Sequence, residues 1–313
     1  MRLLCILLFA TTVHAAEVTR ASNWELHSSF WMNLHQTLMH EASANTPRDL
    51  GALTPEQRTA WNAALAAYRE AWGGKGDITF ERVMRIAQDE LSQVADDAVD
   101  PGLSQALAGA IKQAAPVYRA HWWPADDAAN RFFIGYAAAM LRDAGDELAR
   151  AHETVYGTPL PKTVRLDVTA HAGPYGAYTN SLRSAGPVTT MSSRDPSYQG
   201  HAVLEMVLHE ASHTIVGPYN GTVARAIAAS AKRLAIEPPD GLWHAVLFAT
   251  SSQLGVRALR ARGVTNYVPT SEDLLTRVWP QYRTAIETHW HPYVLEGKGT
   301  LDEAIDKVVT AVK

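Results

Sequence analysis

Residues 162–193 are the one place where this 313-residue chain stops reading as helix. There "KTVRLDVTAHAGPYGAYTN" and "GPVTTMSS" alternate and are rich in Val and Thr, with Gly and Pro clustered between them, as strands require. On either side, apolar residues recur at helical spacing. "NWELHSSFWMNLHQTLMHEAS" places Trp24, Phe30, Trp31, Leu34 and Leu38 on that period. "TPEQRTAWNAALAAYREAW" opens with Thr54 as N-cap and Pro55 at the first helical position, and "GGKG" stops it. Amphipathic segments continue to Gly157, punctuated by Pro101-Gly102 and Pro124, and resume after residue 197. The pattern predicts an α+β protein, mostly α-helical, with one small β-sheet. Pro159 to Lys162 is the candidate boundary between a helical N-terminal lobe, 16–160, and a C-terminal lobe, 161–313, that carries the strands.

The first residues, "MRLLCILLFATTVHAAEV", have the layout of a secretory signal. Arg2 supplies the positive start, and Leu3 to Val13 is too short for a permanent membrane span. Val13 and Ala15 stand at the −3 and −1 positions of a cleavage after Ala15. Cys5, the only cysteine, is removed with the segment and lacks the small-residue context of a lipoprotein cysteine. The mature chain 16–313 then has no thiol to form a disulfide even in an oxidising compartment, so a packed core, with or without a metal, must stabilise it. A periplasmic or secreted protein with no membrane anchor after cleavage is expected.

A formal charge of −4 and the lack of any long Lys/Arg run argue against nucleic acid or an anionic membrane as the main partner. The chemistry concentrates instead in "VLHEASHTIVG", residues 207–217. On a helix, His209 and His213 stand one turn apart on one face, where both imidazoles can reach one zinc ion about 2.0–2.1 Å away. Glu210 is beside them without being a ligand, placed to take a proton from a water polarised by the ion. Val207, Leu208, Ala211, Ile215 and Val216 make the segment apolar. Burying histidines and glutamates on such a helix is unfavourable unless something binds them.

"HEASH" on an apolar helix that follows a β segment resembles the zincin metallopeptidases, on their gluzincin-like side, over roughly residues 164–250. The resemblance implies one Zn2+ per chain, a peptide or protein substrate, and a sheet beside the motif helix whose edge strand holds extended backbone. "GPVTTMSS" is the candidate edge, since β-addition uses backbone groups.

A catalytic zinc usually has three protein ligands and one open position. The metzincin continuation is absent, because in "HEASHTIVGPY" the glycine is displaced by one and Tyr219 stands where the third histidine would be. Downstream acids offer little: Glu237 precedes Pro238-Pro239, Asp240 reads as a helix opener, and Glu272 as a first-turn acid. His244, on the apolar helix "DGLWHAVLFATSSQLG" opened by Asp240, is 31 positions past His213, far enough to fold back onto the motif. The expected ligands are therefore His209, His213 and His244, a departure from the gluzincin glutamate. Tyr267 is the candidate catalytic donor to an oxyanion, with Tyr175 and Tyr178 as alternatives. Glu205, one turn before His209, either orients a ligand or faces solvent. His35 and His121 are candidates to line a cleft between lobes, or structural histidines.

Two other readings compete. Glu210-x-x-His213 is half of a di-iron bundle motif, but no second Glu-x-x-His occurs in the chain. A non-catalytic metal-binding or degenerate-peptidase interaction protein has no use for Glu210 beside its ligands. The expectation is a secreted zinc peptidase with Glu210 as general base. Intact-mass analysis of the exported protein should show a chain that begins at Ala16.

Overall fold

The computed structural model describes residues 18–44, 48–96, 98–104, 107–182 and 186–313. The expected signal segment and its cleavage point lie outside them. Strand pairing starts earlier in the chain than the sequence pattern suggests. β1 (Thr19–Ala21) pairs antiparallel with β2 (Trp24–His27). The helix expected from Trp24 begins only at Phe30, as α1 (Phe30–Ser43). Ser29 takes extended backbone, and its hydroxyl accepts from the N–H of Met32. Upstream of that cap, Trp24 and Leu26 use the two-residue period of a strand and bury against the sheet.

α2 (Pro55–Trp72) starts as its sequence predicts, with Thr54 and Gln57 capping each other's backbone reciprocally. α3 (Arg82–Ser92) and α4 (Leu107–His121) follow. α5 (Trp123–Tyr156) has 34 residues and stops at Gly157, whose positive φ of 63° suits glycine. After it come β3 (Val164–Thr169), β4 (Ala177–Leu182) and β5 (Gly186–Ser192).

The five strands form one mixed sheet in the order β1-β2-β3-β5-β4. β2, β3 and β5 run parallel, and β4 returns antiparallel on β5. The expected edge, "GPVTTMSS", is therefore an interior strand, paired on both sides and buried from Val188 to Ser192. β4 is the edge. A hairpin lets β5 slot in beside β3 and pushes the preceding strand, with its Thr, Asn and Ser, outward. Arg85 of α3 grips that edge near its end, donating to the Asn180 side chain at 2.8 Å and the Ser181 carbonyl at 3.5 Å.

Each face of the sheet carries its own apolar core. On one side Trp24, Leu26, Val164, Leu166 and Val168 pack with α5, α6 (Ala202–Ser212), α7 (Gly221–Leu234), α8 (Leu242–Ala261) and α12 (Leu301–Ala311). On the other, α1 to α4 enclose Tyr178 and Val188. The two cores do not divide at residue 160: β1, β2 and α5, from the first half, belong with α6 and α8 from the second. Long-range strand pairing draws them across, which local periodicity cannot signal. The remaining helices are α9 (Thr270–Arg277), α10 (Pro280–Ala285) and α11 (His291–Glu296), with one π-helical turn at Ile286–Trp290. Among the described residues no helix is long and apolar enough to cross a membrane.

Two buried histidines away from the sheet's outer surface set an acid limit. His35 bonds Tyr68 at 2.7 Å and His152 bonds Ser212 at 2.9 Å. Burial lowers their pKa values to about 4 and about 3. The unfolded chain protonates such rings near pH ~6.5. Between about pH 4 and 6.5 it therefore holds more protons than the folded chain at these positions, so their contribution makes stability fall with acidification. Chemical unfolding at several pH values should show a shallower acid-side loss in His35→Gln, by up to about 1.4 kcal/mol per pH unit.

Candidate metal centre

α6 is buried along nearly its whole length, from Val203 to Ser212. A helix apolar on all sides belongs in an interior, and the sequence around the histidines is of that kind. The helix ends at Ser212, sooner than the pattern suggests. His213 caps it with helical φ and ψ (−60°, −17°), so the one-turn relation to His209 survives. The next residues tighten: Thr214 bonds Ala211 at 3.1 Å and Ile215 bonds Ser212 at 2.9 Å, each three residues back.

α8 brings in the third imidazole. Its N-cap is Gly241 at φ 69°, not Asp240, which lies exposed and gives its carbonyl to the Tyr282 hydroxyl. His244 Nε2 is 3.4 Å from His209 Nε2, and His213 Nε2 is 3.2 Å from the same atom. Nitrogens bound tetrahedrally at 2.0–2.1 Å stand about 3.3 Å apart. Both distances fit ligands of one zinc, and the ligand atoms of all three rings lie within 4.8 Å of one another. His209, His213 and His244 are the group of metal-capable side chains that converges among the described residues. Glu237, Asp240 and Glu272 are exposed and outside it.

The donor set has the right protonation state. Burial holds His209 well below the ordinary histidine range, and the neighbouring His213 and His244 add to this. Burial lowers His213 to about 4, against an opposing bond to the Val216 backbone. It lowers His244 to about 3, with help from His213. All three rings are neutral at pH 7, with lone pairs available to a cation. Aromatic rings hold them: Phe248 stacks on His209 at 3.7 Å, Trp243 on His244 at 4.7 Å, and Trp279 meets His244 edge-on at 5.4 Å. His209 Nδ1 is buried without a protein hydrogen-bond partner.

On the opposite side, edge strand β4 meets Glu210. Thr179 Oγ1 lies 2.8 Å from Glu210 Oε2, 2.9 Å from the Glu210 carbonyl and 2.9 Å from Thr189 Oγ1. Burial raises the Glu210 pKa to about 8, and the Thr179 hydroxyl opposes the rise. A cation at the triad would favour the ionised carboxylate. Tyr198 is also near, since Glu210 contributes to raising its pKa above the ordinary phenol value, after burial. Its hydroxyl donates to the Tyr175 carbonyl.

Other sequence candidates are engaged elsewhere. The Tyr267 hydroxyl, expected to serve an oxyanion, donates to Glu205 Oε2 at 2.6 Å. The reason is the carboxylate: Glu205 is fully buried, not solvated, and draws in the donors around it. Tyr178 is buried in the second core and accepts from Gln36, and the Tyr175 side chain is exposed. His35 lies in that core, and His121 is exposed beside Gln57 at 3.2 Å. Sequence reasoning missed Thr179, which carries no motif. It also passed over Trp243 and Phe248 as ring contacts of His209 and His244, although they stand one before and four after His244.

No protein-family model, curated protein or solved structure matches this chain.

Metal titration with a competing chelator should find one high-affinity zinc per chain. His244→Ala should weaken it by at least about 100-fold, beyond the 10- to 100-fold typical of outer partners. Zinc at 100 times its dissociation constant should raise unfolding stability by about 2.7 kcal/mol.

Proposed function

We propose that this chain is a secreted or periplasmic zinc-dependent peptidase of the zincin kind. His209, His213 and His244 hold the ion, and Glu210 is the general base. One observation carries the reading: three imidazole ligand atoms, all within 4.8 Å of one another, converge on the helix that also carries a carboxylate that is not one of them. A purely structural site has no need of that carboxylate.

Zinc bound there supplies Lewis acidity toward a carbonyl oxygen and lowers the pKa of water toward about 7. The protein's own groups do the rest. Thr179 engages Glu210 Oε2, which leaves Oε1 as the oxygen to take the proton of the attacking water. The same carboxyl then returns that proton to the leaving amine. Burial of His209 and the rings stacked on it and on His244 desolvate the site, which strengthens charge interactions there. β4 lies alongside Glu210 as an edge strand, so an extended peptide backbone can pair with it and present a carbonyl there.

Hydrolysis of a mixed peptide panel by the zinc-loaded chain, read by mass spectrometry, tests the proposal. Glu210→Gln should keep stoichiometric zinc and lose about 10²–10⁴ in rate. Thr179→Val should lose about tenfold, the scale of one hydrogen bond to a charged group. Full zinc occupancy with no cleavage by the wild-type chain would instead make this a metal-binding protein.

A further inference from the structure

Glu205 is a buried carboxylate that the proposed reaction does not use. It stands one turn before His209 on α6, with a relative exposure of 0%. Oε1 accepts from the Ser252 hydroxyl on α8. Oε2 accepts from the Tyr267 hydroxyl at 2.6 Å and from the Thr270 N–H, in the first turn of α9, at 3.1 Å. Ser252 Oγ also accepts the next N–H of that turn, from Ser271, at 3.3 Å. One side chain thus ties α6 to α8, to the loop before α9 and to the start of α9. The Ser252, Tyr267 and Thr270 donors are each matched to a carboxyl oxygen.

The contacts along α6 and α8 show what this fixes. His209 meets His244 and Phe248; Glu205 meets Ser252, and its backbone lies against Gly255. Rising numbers on α8 match falling numbers on α6, so the helices run antiparallel. The Glu205–Ser252 bond lies about 6 Å along α6 from His209 and about 12 Å along α8 from His244. Sliding one helix against the other moves His244 relative to the His209–His213 pair, and this bond resists the slide. Apolar burial is non-directional, so a directional bond between the two helices adds to what their packing fixes.

We infer that Glu205 is a positioning residue for the metal centre: through Ser252 it sets the spacing of His244 from His209 and His213. The inference rests on the metal reading above and adds to it the device that keeps three ligands from two helices in register.

The test uses the full chain, freed of metal and loaded with cobalt(II) or zinc. The variants are Glu205→Ala, Glu205→Gln and Ser252→Ala. Affinity comes from chelator competition, geometry from the cobalt ligand-field band, and fold integrity from thermal unfolding of the metal-free chain. Glu205→Ala should weaken both metals by about 10- to 100-fold and alter the cobalt band. Glu205→Gln, which keeps an acceptor, should restore most of the affinity. Ser252→Ala, a milder change to the same link, should shift the cobalt band in the same direction and serves if Glu205→Ala does not fold. A fall in thermal stability with affinity and cobalt band unchanged in folded variants overturns the inference and leaves the metal reading standing. A wild-type chain that takes up neither metal overturns both.

Discussion

Desolvation of one helix organises this molecule. α6 carries Glu205, His209 and Glu210 while being buried almost end to end. Polar groups in such a place must find partners or stay neutral. Each does one or the other. His209 and its two companions remain uncharged and aim nitrogens at a common point. Glu205 collects hydroxyls and a backbone N–H. Glu210 takes Thr179 from the sheet. The elements around α6 can be read as the suppliers of those partners: α8 for the third imidazole, α9 and its preceding loop for Glu205, and β4 for Glu210.

This arrangement divides the work between two sides of the helix. The α8 side is aromatic and holds rings by stacking, with Phe248 against the His209 imidazole and Trp243 against that of His244. The sheet side is polar, where a single threonine hydroxyl touches the carboxylate, the carbonyl of the same residue and a neighbouring threonine. A hydroxyl has one proton to give, so those three contacts compete. Whichever acceptor is most charged takes it. When Glu210 is ionised, as a cation at the triad would favour, it draws the Thr179 proton to itself and its own carboxylate is oriented in doing so.

The sequence carried the local part of this picture. Helical spacing, the Thr54 cap and the apolar run around "HEASH" are properties of neighbouring residues, and the structure follows them. His244 was reachable as well, because an apolar helix 31 positions on has room to return. What failed was whatever depends on distant partners. β1 and β2 exist because β3 is there to pair with β2. Whether β4 or β5 is the edge depends on the order in which strands insert, not on their composition. Tyr267, expected at an oxyanion, instead donates to Glu205, a contact across 62 positions that local pattern does not signal.

The sheet has one further implication, for how the chain reaches this state. β2 lies beside β3 in parallel, with Val164 donating to the Asn23 carbonyl at 2.7 Å, and Asn23 donating to Pro161 across 138 positions. Such pairing closes a very large loop before it returns any contact, which makes it slow. Beyond its local hairpin with β1, β2 therefore gains its second partner only once α1 to α5 have been made and β3 arrives. Folding of this half cannot finish from the N-terminus forward.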